Sequence, residues 1–375
     1  MSAGIENDWI AKRLNGNSIP FRNFMELALY DPEFGYYAQP RSGLDYATSV
    51  DISPAFAFSL SLLAGEFVER CGDALCTIVD IGCGDGSLLS GIRDNLPEPA
   101  RERARFVGVD RSLGRLRPEL ASDEAFRFVR APNAIDSAGP ALVLSNELFD
   151  AFPAARLVQR ETGLSELWVR PLEDGALEWE ERDAPSQYAA YFSERGIALE
   201  PGQYADITPG WGDFYGDLAG RIERGLLVTI DYGFPQEKLF DVRIRRYGTA
   251  VAFRRHQLTR DLLADPGAQD LTAHINFTDL QTAGERQGWR TLLLERQAKF
   301  LLRIGITRHP LLAPLEDVEG RGGDAVELAT AREAARRLVL PDGIGEEMRV
   351  FVQEKGLSHE KWTFESDPGL FPNVM

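Results

Sequence analysis

Thr77-Ile-Val-Asp-Ile-Gly-Cys-Gly-Asp-Gly86-Ser-Leu-Leu reads as a buried strand, a turn with three glycines and the start of a helix. Glycine at 82, 84 and 86 admits backbone angles closed to other residues and lets a ligand meet the main chain with no Cβ atom between them. A dinucleotide fingerprint would space its glycines Gly-x-Gly-x-x-Gly and rest a pyrophosphate on the helix N-terminus. Here the third glycine comes one place early, Ser87 stands in its stead, and Asp85 adds a carboxylate where the pyrophosphate would lie. Like charges in contact in a half-dry site cost kilocalories. A cation suits the turn better. S-adenosylmethionine (SAM) carries an ammonium and a sulfonium and no phosphate, which matches Asp80, Asp85 and the glycines.

Arg105-Phe-Val-Gly-Val-Asp110 reads as a second strand ending in a carboxylate, at the distance past the glycines where doubly wound folds place a ribose-binding acid. Asp110 is thus expected to accept the ribose hydroxyls, or to open a helix as an N-cap; the two roles are compatible. Around these strands the pattern alternates strand and helix: 77–81, 87–95, 105–109, a short helix after Ser112, then 126–130 and 141–145. That alternation predicts a parallel, doubly wound α/β sheet. Gly225-Leu-Leu-Val-Thr-Ile-Asp231 resumes it.

Five stretches follow from the pattern. Residues 1–72 hold an aromatic segment, Phe21 to Tyr37, read as a lid or a small satellite core, and a helix that leads into the sheet, with Ser53 as N-cap and Pro54 as its first residue. Residues 73–150 form the SAM-binding core. Residues 151–224 are an insertion of antiparallel strands and helices, placed to shape a substrate site. Residues 225–310 complete the sheet and carry a second insertion at 234–285, and 311–375 add a helix and a strand.

The chain has 375 residues, 44% hydrophobic and 26% charged, which is the make-up of a folded globular protein. Its formal net charge of −17 argues against a grip on nucleic-acid backbones and is compatible with a basic substrate. Three cysteines, Cys71, Cys76 and Cys83, have no metal-ligand spacing and read as reduced thiols; the four histidines are scattered, so no metal is expected. No apolar run reaches a membrane span. The acidic start predicts a cytoplasmic, bacterial-type chain or a trimmed matrix protein.

Ala141-Leu-Val-Leu-Ser145-Asn146-Glu147-Leu-Phe-Asp150-Ala-Phe-Pro153 ends another strand with polar groups at the sheet edge where the methyl donor would lie. Asn146, Glu147 and Asp150 are expected to face a substrate there. Two carboxylates can clamp a guanidinium and aim one nitrogen at the sulfonium methyl. Glu147 could instead cap the next helix. Asp231 would complete an acidic wall or hold a loop, and His256, beside Arg254 and Arg255, would take a proton or lie on the surface.

These stretches resemble the MidA-type methyltransferases, whose mitochondrial members are complex I assembly factors. The resemblance rests on Phe24-Met-Glu-Leu-Ala-Leu-Tyr-Asp-Pro-Glu-Phe-Gly-Tyr-Tyr37, Thr48-Ser-Val-Asp-Ile-Ser-Pro54, Ser145 to Pro153, Thr229-Ile-Asp-Tyr-Gly233, Asp270-Leu-Thr-Ala-His274 and Gln297-Ala-Lys-Phe-Leu-Leu302. It implies a seven-stranded class I SAM-dependent fold with α+β insertions and an N-terminal helical extension. For the mitochondrial members it implies dimethylation of an arginine in a respiratory-complex subunit. Two positions depart from the family: Asp85 replaces a basic residue, and Phe234 replaces a histidine.

The expected function is SAM-dependent methyl transfer to an arginine of a protein or peptide substrate. The alternatives are a small-molecule methyltransferase and a SAM-binding assembly factor without turnover. Asp80, Gly82, Gly84, Gly86, Asp110, Thr48 and Ser49 are assigned to the cofactor; Glu147, Asp150, Asn146, Asp231 and His256 are assigned to catalysis.

Overall fold

The structure, a computed structural model, describes residues 8–39, 48–135, 139–254, 257–313, 325–357 and 360–366. The chain forms two compact units, each discontinuous in sequence. The first comprises Met1–Tyr46, Leu148–Asp213 and Tyr232–Leu280; the second comprises Ala47–Glu147, Phe214–Asp231 and Gln281–Met375.

The large sheet carries the glycine turn. Seven of its eight strands make up the main path, β1 (Cys76–Ile81), β2 (Ala104–Val109), β3 (Phe126–Val129), β4 (Ala141–Asn146), β5 (Gly225–Phe234, whose last three residues fall in the first unit), β6 (Arg290–Arg296) and β7 (Met348–Lys355), and the two-residue strand Ile275–Asn276 pairs with Gly233 and Phe234 of β5. Their order is β3-β2-β1-β4-β5-β7-β6. β1 to β5 run parallel to one another, and β6 is antiparallel to β7. Every residue of β1 is buried, as expected of a central parallel strand covered on both faces. The seven-stranded doubly wound α/β fold expected from the sequence is therefore present.

The helix Pro54–Arg70 starts as its sequence requires, with the Ser53 side chain accepting from the Ala55 amide and proline at the first position. It packs against the helices Ser87–Asn95 and Gln297–Ile304 within the second unit. This helix therefore belongs with the sheet in the second unit.

The aromatic segment belongs to the first unit. There Ile19–Pro20 pairs with Val169 and Trp168 at the edge of an antiparallel sheet built from Gly163–Pro171, Ala155–Arg160, Tyr204–Ile207 and Leu177–Asp183. Phe21, Phe24, Met25 and Tyr36 are buried in one core with Val169, Ala252 and Leu271. Burial of these side chains against the inserted strands joins the two stretches that the sequence separates. Asp206, 4% exposed, locks this unit further by accepting from Arg156 Nη1 at 2.7 Å and from the Thr249 and Ala250 amides at 2.6 and 2.8 Å. Among the described residues no helix is long and apolar enough to cross a membrane.

Candidate active site

The order of the sheet reverses between β1 and β4, and open α/β sheets bind ligands at that switch, outside the carboxyl ends of the strands. Three ends lie there beside the inner part of β5. Val109 pairs with Ile81, Ile81 with Ser145, and Asn146 with Ile230. Asp110, Gly82 and Glu147, which follow three of the strands, and Asp231, within β5, thus lie on adjacent strands spaced about 4.8 Å apart.

The glycine turn is held by its backbone. The Gly82 amide donates to the Val109 carbonyl at 2.7 Å, and the Gly86 amide donates to that of Cys83 at 2.8 Å. Gly84 has φ +55° and open space where a Cβ would stand, while a Cβ at Gly86 would meet Leu120 Cδ1 at 2.7 Å. Gly84 is therefore the position that leaves a cradle, and Gly86 the one that lets the turn pack.

Asp110 accepts from the Gly84 amide at 3.0 Å and from the Ser112 amide at 2.9 Å. Asp110 thus braces the turn, but it does not open the next helical segment, Leu113–Arg115, whose N-cap is Ser112. Asp80 is 2% exposed, and burial, then the charges of Asp110 and Asp85, push it up to about 7. Burial also raises Asp110. Asp85 behaves otherwise. It accepts from the Ser87 amide at 2.9 Å and the Ser87 hydroxyl at 2.8 Å, fastening the start of the helix. Its departure from the family pattern thus has a local structural use.

At the end of β4, Glu147 has φ +51°, which non-glycine residues rarely adopt. Its amide still donates to the Ile230 carbonyl at 2.9 Å. Oε1 accepts from the Asn146 side chain at 3.1 Å and the Ser49 amide at 3.3 Å, whereas Oε2 and Asn146 Oδ1 are buried with no hydrogen-bond partner. Burial first, then Asp231 among the neighbouring charges, pushes Glu147 up to about 8. Asp231 is itself fully buried. A buried acceptor without a donor is costly.

The remaining expected residues are placed as follows. Thr48 closes a capping box with Asp51, and the Ser49 hydroxyl is buried against Gln297, with Oγ to Oε1 at 3.2 Å. Both shape the segment whose amide reaches Glu147. Asp150 is buried in the first unit, where its carbonyl accepts from the Ala273 amide at 2.9 Å. The acid beside Glu147 in its own unit is Asp231, because the β4–β5 register, Asn146 against Ile230, sets the two on neighbouring strands. His256 lies outside the described residues. Sequence reasoning missed the Ser49 amide and the supporting Gln297. A backbone donor leaves no mark in a sequence, although Gln297 stands in one of the family-like stretches.

A family described as "Putative S-adenosyl-L-methionine-dependent methyltransferase" matches residues 62–294, more than half of the chain. The chain belongs to that family. The methyltransferase is 26% identical to "Protein arginine methyltransferase NDUFAF7 homolog, mitochondrial" of Drosophila melanogaster, covering 74% of this chain and 69% of that protein. It is 25% identical to "Protein arginine methyltransferase NDUFAF7, mitochondrial" of Danio rerio, covering 89% and 82%. Its fold matches a superfamily member from Burkholderia thailandensis solved with S-adenosyl-homocysteine bound, at a TM-score of 0.79 and 27% identity, covering 94% of this chain and 92% of that one. SAM is the cofactor of the family. The residues present fit it. Gly84 leaves a cradle that a Cβ would fill, and the buried Asp80 lies beside acids in need of a positive partner.

Proposed function

We propose that this methyltransferase modifies a guanidinium nitrogen of an arginine in a protein substrate. The observation that carries this reading is the pair of buried, unpartnered oxygens, Glu147 Oε2 and Asn146 Oδ1, beside Asp231. A guanidinium offers five N–H donors in a fixed plane and a charge that suits both acids. The names of the two curated relatives support the same acceptor. A respiratory-complex subunit is the partner that the sequence resemblance implies.

SAM supplies a methyl group made electrophilic by its sulfonium. On this reading Gly82, Gly84, Gly86 and Asp80 receive the methionine end of the cofactor and Asp110 the ribose. A carboxylate has about four acceptor sites, so Asp110 keeps capacity beyond the Gly84 and Ser112 amides. Glu147 and Asp231 carry the acceptor side, and the reading needs neither Asp150 nor His256. A bound guanidinium favours the ionised form of Glu147. When the nitrogen gains a methyl group it sheds a proton, and Glu147, poised near neutrality, takes it at Oε2.

The test is labelled-methyl SAM with a cell lysate, followed by proteolysis and mass spectrometry. The wild type should label arginine, and Glu147→Gln should keep its SAM affinity while losing at least about a hundredfold in transfer rate. Label in lysine or in small molecules would overturn the acceptor. SAM affinity with no transfer to any acceptor would leave a binding protein in place of an enzyme.

A further inference from the structure

Residues 242–260 contain six arginines and a histidine but no Asp or Glu, within a chain of net charge −17. The structure uses some of these arginines internally, all within the first unit. Arg243 pairs with Asp241 at 2.6 Å, Arg254 pairs with Asp265, and Arg246 donates to the Pro201 carbonyl at 3.2 Å. Arg245 and Arg260 differ. Neither has a carboxylate partner among the described residues.

The Arg245 guanidinium lies 4.9 Å from the Phe234 ring centroid, and its Nε is buried without a hydrogen-bond partner. Burial, and then the charge of Arg260, disfavours its protonated form. Two guanidiniums that repel each other without a carboxylate partner are unfavourable, and an anion that reaches both relieves them. Three large apolar side chains flank the pair in sequence. Ile244 is 57% exposed, Tyr247 61% and Leu258 58%. Leu258 sits on Gln257–Thr259, the outer strand of a three-stranded sheet with Val251–Arg254 and Asp270–Thr272.

We propose that this face of the first unit docks an acidic segment of a protein partner. Arg245 and Arg260 would take a carboxylate side chain, and Ile244, Tyr247 and Leu258 would take apolar residues beside it. Charge complementarity selects this occupant: a local cationic patch on an acidic protein attracts an acidic peptide, while the remaining acid repels a nucleic-acid backbone. The exposed apolar side chains select a polypeptide over a simple anion. This inference does not depend on which group accepts the methyl.

The probe is a fluorescein-labelled peptide alternating Glu and Leu, titrated with the full chain and followed by fluorescence anisotropy. We expect saturable binding that weakens with salt and falls about tenfold in Arg260→Gln, with a matched Lys and Leu peptide failing to bind. Arg260 is exposed, so that variant folds; Arg245→Gln should show the same loss. SAM affinity should not change in either variant, which separates this outcome from any failure of the cofactor site. Equal peptide affinity in the wild type and Arg260→Gln would overturn the proposal. So would displacement by inorganic phosphate at matched ionic strength, which would reveal an anion site only, or a self-association abolished by Arg260→Gln, which would make the occupant a second copy of this chain.

Discussion

The Gly84 amide donates to the Asp110 carboxylate at 3.0 Å, so the acid at the end of one strand braces the cofactor turn at the end of its neighbour. Asp110→Ala removes that brace and the acceptor for the Ser112 amide together. We expect SAM affinity to fall at least about tenfold, with a stability loss of about 1–3 kcal/mol. Calorimetric titration and urea unfolding of the same preparation check both. Unchanged affinity would remove Asp110 from the cofactor site.

Gly84 and Gly86 should separate binding from folding. Gly84→Ala costs about 1–2 kcal/mol through its left-handed backbone, meets nothing in the protein and fills the cradle. It should lose SAM affinity out of proportion to its small fall in melting temperature. Gly86→Ala drives a methyl group against Leu120 and Leu116, so its main effect should be on the melting temperature.

Stability of the unliganded protein should fall between about pH 4.5 and pH 8. Glu147 is raised from 4.5 to about 8, so the folded state holds its proton more tightly than the unfolded state does. Its contribution is fully present below the unfolded value and is lost as pH rises through the folded one. Asp80, raised from 3.8 to about 7, acts in the same direction. Glu147→Gln should flatten the decline, by an amount on the order of a few kcal/mol. Thermal melts across this range, compared between wild type and variant, provide the check.

SAM binding near neutral pH should release protons. The positive charges of the cofactor favour ionised Asp80, which is substantially protonated at pH 7 without them. Titrations in buffers of different ionisation enthalpy measure the release. Asp80→Asn should reduce it; a proton uptake would contradict the placement of the acid.

The sheet was legible because its strands are short buried runs closed by glycine or a carboxylate, as in β1 and β2. Glu147 and Asp110 stood out as candidates because residues that follow a strand at the carboxyl edge of an open sheet lie at its crevice. Asp231 was readable as a further acid of that wall or as a loop anchor, but its place next to Glu147 rests on the pairing of Asn146 with Ile230 across a long insertion. The contacts of Asp85 to the Ser87 amide and hydroxyl were not legible, because an acid before a helix reads equally well as a ligand partner and as a fastening of the helix start. The pairing of the aromatic segment with the inserted strands left no mark, because the two-residue strand Ile19–Pro20 is too short to carry any periodicity.

The left-handed backbone of Glu147 sets evolution of this enzyme against its own robustness. Glycine or asparagine would occupy that angle with less strain, and either would remove the buried carboxyl group. Selection for heat resistance alone would therefore draw the position towards those residues and, on the function proposed above, yield a tougher protein with a silent site. Retention of glutamate at 147 in a thermostabilised lineage would be a record of selection for turnover.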